Sequence, residues 1–139
     1  MKKREKVASI MTKDVITVQI NESLHRVNDT FKKKSIRHLP VVVDDELVGI
    51  LSQTDILRIS FGNTFGDQNE GDEAIFDMLS INQVMKHSPI TVSSEVTIKD
   101  VAKILAKKEF HALPVVDEKK LVGIVTTTDI INYFIENGK

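Results

Sequence analysis

The chain contains one unit written twice. Displaced by 74 residues, Met11–Arg58 falls on Met85–Asn132 without a gap, and 18 of the 48 paired positions are identical. Leu39-Pro40-Val41-Val42 returns as Leu113-Pro114-Val115-Val116, Leu47-Val48-Gly49-Ile50 as Leu121-Val122-Gly123-Ile124, and Thr54-Asp55-Ile56 as Thr128-Asp129-Ile130. Units of this size bury too little surface to stand securely alone, so the halves are expected to share one small structure of 139 residues. A duplicated unit builds a pseudo-symmetric pair with twin clefts at its seam. A single catalytic centre has no need to be encoded twice.

Each copy reads in the same order. A short segment, Val7–Met11 or Ile81–Met85, precedes a brief strand, Ile16–Val18 or Ile90–Val92. Leu24, Val27 and Phe31 at helical spacing predict a helix over Ser23–Lys34, and Ile98, Val101, Ile104 and Leu105 predict one over Thr97–Lys108. Ser23 and Thr97 are N-cap residues, the latter opening the box Thr97-Ile98-Lys99-Asp100, and the lysines at each helix end suit the negative pole of its dipole. Strands Leu39–Val43 and Leu47–Ser52 flank the acidic turn Asp44-Asp45-Glu46, with counterparts Leu113–Val116 and Leu121–Thr126 around Asp117–Lys120. A last helix starts near Thr54 or Thr128. The fold class is therefore α+β, two β-α-β-β-α repeats related by a pseudo-two-fold, with repeat 1 over 7–61, a Gly- and acid-rich linker over 62–73, and repeat 2 with a leading helix over 74–135.

The segment Gly49-Ile50-Leu51-Ser52-Gln53-Thr54-Asp55 and its copy Gly123-Ile124-Val125-Thr126-Thr127-Thr128-Asp129 carry the chemistry. A strand enters a helix through a hydroxyl residue with a carboxylate three positions on. As a capping box this pattern satisfies free amides at a helix start. The same geometry offers N–H donors to an anion, hydroxyls to phosphate oxygens and a carboxylate to both hydroxyls of a ribose. On this segment alone both readings stand.

The element order, the Leu-Pro-Val-Val strand and the Gly-Ile-x-Ser/Thr-x-Thr-Asp-Ile turn, in register in both copies, resemble the cystathionine β-synthase (CBS) domain. Two in tandem resemble the regulatory pair known as a Bateman module, and the resemblance covers about Val7 to Phe134. It implies a ligand-sensing module whose clefts, formed between the repeats, hold an adenine nucleotide of the AMP, ADP or ATP type. It implies that Asp55 and Asp129 hold ribose, and that Ser52, Thr54, Thr126 and Thr128 approach sugar and phosphate. Ile50 and Ile124 would line the adenine slot with Ile16, Thr17, Ile90 and Thr91. Arg37 and His38, matched by His111 and Ala112, would face the phosphates. It also implies a homodimer, supported by the apolar Ile130–Ile135 and its counterpart around Ile56–Phe61, and an output read by a separate effector protein. Bridging both repeats, the ligand would favour a closed arrangement.

Other classes find less support. Net charge is −1, and one Tyr, no Trp and six scattered Phe offer no platform for unpaired bases; Lys2-Lys3-Arg4 and Lys32-Lys33-Lys34 read as a solvated terminus and a helix end. No cysteine is present, which removes disulfides, thiolate metal sites and cysteine catalysis. His25 and His87 lack a second ligand at metal spacing and read as surface residues. The acids at 44–46 and 117–118 read as exposed turns, although a magnesium ion arriving with a nucleotide is compatible with the family. Glycine-rich phosphate loops, nucleophile elbows and His-Glu-x-x-His are absent, so the expectation is no catalysis and no required cofactor. The opening residues carry no apolar stretch behind Lys2–Lys6, so no membrane segment and a cytoplasmic location are expected, and the polar close at Glu136–Lys139 argues against a fragment of a larger enzyme or transporter. The competing reading is a structural or dimerisation module that binds no nucleotide and whose turns only cap helices.

Overall fold

The computed structural model describes residues 4–59, 74–108 and 111–137, so the expected linker over 62–73, Phe61, and the last two residues lie outside it. Two compact units result, and their boundaries cut across the sequence repeats. The first gathers the described residues from Ile16 to Ser88; the second joins those up to Val15 with those from Pro89 onward. The short segment leading each repeat thus packs in the unit of the other repeat.

In the first unit the chain runs β1 (Val18–Gln19), a helix (Leu24–Lys34), β2 (His38–Val43), β3 (Glu46–Ser52) and a helix (Gln53–Ile59). Ser23 caps the first helix by accepting the Arg26 N–H at 3.2 Å. That helix buries the stripe Leu24, Val27 and Phe31 against Val18, Leu39, Val41 and Leu51. β2 and β3 form an antiparallel hairpin in which His38 lies opposite Ser52, Pro40 opposite Ile50 and Val43 opposite Glu46. Asp44 takes a positive φ of 55° in the turn. Residues 74–78 are helical, and Phe76 and Ile81 join the same core. Ile81–Val84 is a one-turn helix held by a full capping box between Ser80 and Gln83. β4 (Lys86–His87) then adds antiparallel to β3, with Gly49 opposite His87 and Ile50 opposite Lys86.

The second unit repeats this plan. Thr97 caps the helix Ile98–Lys107 through the Asp100 N–H at 3.0 Å. β5 (Ala112–Asp117) and β6 (Lys120–Thr126) form the hairpin, and the helix Thr127–Asn137 follows. Thr12 takes the place that Lys86 holds in the first unit, bridging antiparallel to Ile124. Val7, Val92, Ile98, Val101, Leu113, Val115, Val125, Ile130 and Tyr133 make the core. The leader is stitched on by Val7 N–H to Val96 O at 2.8 Å, Ile98 N–H to Glu5 O at 2.8 Å and Tyr133 OH to the Glu5 carboxylate at 3.0 Å.

The expected strands Ile16–Val18 and Ile90–Val92 are shorter than read. β1 starts at Val18, and in the second unit only Val92 pairs, opposite Val115. The Val92 N–H donates to Pro114 O at 3.1 Å and its carbonyl accepts from the Val116 N–H at 2.8 Å. Two residues earlier, the parallel ladder needs an N–H from position 114, and proline has none. Pro40 imposes the same stop on Ile16. Ile16 and Ile90 stand 37% and 47% exposed as a result.

Candidate functional site

In each unit the hydroxyl and carboxylate of the strand-to-helix turn grip one another's backbone. The Ser52 N–H donates to Asp55 Oδ2 at 2.9 Å and the Asp55 N–H donates to Ser52 Oγ at 3.1 Å. Thr126 and Asp129 make the same two bonds at 2.9 and 3.1 Å. Both copies are therefore complete capping boxes, and one carboxylate oxygen of each aspartate is committed to the backbone. Oδ1 of Asp55 has the exposed Arg58 guanidinium 3.6 Å away, a weak pairing at that distance and exposure. The position matching Arg58 in the second unit is Asn132, and Asp129 Oδ1 makes no hydrogen bond among the described residues. Asp55 is the one polar residue among those described that is buried, at 6% exposure.

Backbone bonds bring the residues before Leu-Pro to the same turn. Arg37 O accepts the Gln53 N–H at 2.8 Å, and His111 O accepts the Thr127 N–H at 2.9 Å. The side chains of Arg37 and His111 are exposed at this corner. His38 is half-buried opposite Ser52, and Ala112 is buried opposite Thr126. Ile50 is half-buried and Ile124 9% exposed, each opposite a proline. Thr54 and Thr128 are exposed on the first helical turn, and Thr17 and Thr91 are exposed just before the pairing residues Val18 and Val92. The expected site residues therefore sort by unit. Thr17, Arg37, His38, Ile50, Ser52, Thr54 and Asp55 fall in the first; Ile90, Thr91, His111, Ala112, Ile124, Thr126, Thr128 and Asp129 fall in the second. In each, β2 or β5 separates the threonine before the parallel pair from the isoleucine of the hairpin's second strand.

Two pairs of neighbours were not anticipated. Gln53 and Thr127 open the helices, and the Thr127 hydroxyl also reaches His111 O at 3.4 Å. Lys86 and Thr12 lie beside Ile50 and Ile124 through cross-strand pairing. The signal for the second pair was the 74-residue offset itself, which equates Thr12 with Lys86; nothing local shows that either joins a hairpin.

The remaining polar groups have structural work. His25 Nε2 lies 2.7 Å from Asp77 Oδ1 and its ring meets Phe76 edge-on, while His87 Nε2 contacts Asn82 O at 2.8 Å; His87 is exposed and His25 is half-buried. Asp117 accepts the Ser94 hydroxyl at 2.6 Å and the Ser94 N–H at 3.0 Å, which holds its carboxyl below the ordinary carboxylate range. Among the described residues no three His, Cys, Asp or Glu converge as a metal site would require.

A family model for the CBS domain matches residues 7–62 and 81–136. The protein MJ1225 of Methanocaldococcus jannaschii is 32% identical over 132 residues, covering 94% of this chain and 47% of that protein. The chain thus spans about half the length of this relative. The crystal structure of MJ1225 superposes with a TM-score of 0.82. CBSX2 of Arabidopsis thaliana, solved in complex with AMP, is 26% identical with a TM-score of 0.81 over 97% of this chain and 99% of its own. The CBS domain pair of MJ0100, solved with 5′-methylthioadenosine and S-adenosyl-L-methionine, is 29% identical with a TM-score of 0.74, covering 93% of this chain and 98% of its own.

Proposed function

The chain belongs to the CBS-domain family as a tandem pair, and from that premise we propose that it is a regulatory module whose two hydroxyl-x-x-Asp turns bind adenine nucleotides or related adenosyl ligands. The observation that carries this reading is the repeated turn: twice, at the same distances, one oxygen of an aspartate is fixed by the backbone while the other carries no strong bond among the described residues. An acceptor held so rigidly suits the paired hydroxyls of a ribose. Structural relatives solved with AMP, and with 5′-methylthioadenosine and S-adenosyl-L-methionine, support the same ligand class.

Charge-assisted hydrogen bonds contribute about 1.5–3 kcal/mol each. Two or three of them beside an apolar slot give about −8 kcal/mol, micromolar binding suited to a sensor. Occupancy shifts the population of conformers, and a separate effector reads the change. Regulation, with no reaction of its own and no resident cofactor, is the proposed role; a magnesium ion enters only with a nucleotide. No helix of the described residues is long and apolar enough to cross a membrane, and the module is proposed to act in the cytoplasm. Its proposed homodimer uses Leu57, Ile131 and Ile135, which are 53%, 52% and 72% exposed; a monomer mass by light scattering at tens of micromolar chain would contradict it.

The second reading, a structural module whose turns only cap helices, draws on the completeness of both capping boxes. Thermal shift separates the two. A ligand at 100 times its dissociation constant adds about 2.7 kcal/mol of stability, a rise of several degrees. No shift with AMP, ADP, ATP, 5′-methylthioadenosine or S-adenosylmethionine selects the structural reading.

A further inference from the structure

The two turns share a backbone but not their charge. Three permanent cations belong to the first turn and the backbone paired with it. Arg37 is tied by its carbonyl to the first helical residue at 2.8 Å, Arg58 lies 3.6 Å from the carboxylate, and Lys86 is placed opposite Ile50 by β4. All three side chains are exposed. Around Asp129 the matching positions hold His111, Asn132 and Thr12, each set in the same relation to the turn by the repeat or by the same backbone bonds. Together with Asp55 these three positions sum to two excess positive charges. At the second, none of the three matching positions holds a permanent cation, which leaves the charge of Asp129 unpaired by them.

We propose that the turns divide their ligands by charge: the first takes an adenosine bearing a 5′-phosphate, and the second takes an adenosyl group without phosphate, such as a 5′-thioether. The assignment rests on the ligand-binding reading above and refines it. A 5′-phosphate brings up to two negative charges to whichever turn holds its ribose. The exposed cations of the first turn attract it, an interaction that salt screens over a Debye length of about 8 Å. At the second, the lone carboxylate repels it, while ribose hydroxyls still have their acceptor. One molecule can thus register two ligands at once, a phosphorylated nucleoside and an unphosphorylated adenosyl compound.

Isothermal titration tests the division. The variant D129A leaves the first turn intact and D55A the second, and each is titrated with AMP and with 5′-methylthioadenosine. D129A is expected to bind AMP at least tenfold more tightly than 5′-methylthioadenosine, and D55A to show the opposite order. Because both aspartates also cap helices, a third variant removes charge alone at exposed positions. R37H/R58N/K86T is expected to lose AMP affinity at least tenfold and to keep 5′-methylthioadenosine affinity within twofold. Raised salt is expected to weaken AMP at the first turn and to leave the thioether at the second unchanged. The same ligand order at both turns, or native AMP affinity in the triple variant, overturns the charge division alone. Failure of the native chain to bind either compound removes the ligand-binding reading and this assignment with it.

Discussion

Ser52 and Asp55 satisfy each other across three residues, the Ser52 N–H reaching Asp55 Oδ2 at 2.9 Å and the Asp55 N–H reaching Ser52 Oγ at 3.1 Å. One side chain thus caps a helix and holds an oxygen ready for a sugar, and the two duties have separate readouts. Asp55→Ala is expected to cost about 1 kcal/mol in chemical denaturation through the lost cap. It is also expected to lower AMP affinity ten- to a hundredfold, the value of one charge-assisted bond. Lost stability with unchanged AMP affinity by calorimetry would leave the turn a cap and nothing more.

Gly49 and Gly123 admit a methionine from the leader of the other repeat. A Cβ on Gly49 would overlap the Met85 sulfur and come within 2.9 Å of the Lys86 carbonyl; on Gly123 it would meet the Met11 sulfur at 2.6 Å and the Thr12 carbonyl at 3.0 Å. The flexible thioether can move aside, but a hydrogen-bonded strand carbonyl cannot. Gly49→Ala and Gly123→Ala should each destabilise by about 1–3 kcal/mol, read as a lower midpoint of urea unfolding. Wild-type midpoints would show that the leader strands do not pack this closely.

Removing residues 1–11 should loosen the second unit and spare the first. Val7 is fully buried there, and Glu5 binds both Tyr133 and Ile98. Hydrogen exchange should show protection lost in Ile98–Lys107 and Thr127–Asn137 and kept in Leu24–Lys34. Loss confined to the first repeat would place the leader where sequence order alone would put it.

Asp117 sets an acid-side signature. Its hydrogen bonds with Ser94 favour the charged form, so its folded pKa lies below the ordinary 3.8. A carboxyl depressed on folding contributes stability that is fully present above the unfolded pKa and is lost as pH falls through that value toward the folded one. The stability gap between Ser94→Ala and the native chain should therefore be constant from pH 7 to about 5 and shrink below about 4. A gap independent of pH down to 3 would remove the charged bond from the account.

Much of this was legible residue by residue. Ser23 and Thr97 announced their helices because an N-cap works through atoms three residues away, and hairpin and turn signals are equally local. Ser80-Ile81-Asn82-Gln83 carries a capping box just as clear, and where the sequence reading has only a short leader the structure has a helical turn. The strands at Ile16 and Ile90 were overextended because the missing N–H belongs to Pro40 or Pro114, more than 20 residues along the chain. The placement of Lys86 beside Ile50 and of Thr12 beside Ile124 was invisible, since each leader crosses to the unit of the other repeat and only tertiary pairing shows it. Those crossings also supply Lys86, which completes the cationic corner.

The most direct test is a crystal structure of the chain grown with excess AMP. The account predicts a ribose whose two hydroxyls lie within 3.2 Å of the Asp55 carboxylate, its phosphate turned toward Arg37. A nucleotide bound away from both turns, or both aspartates closed off by the chain's own side chains, would contradict it.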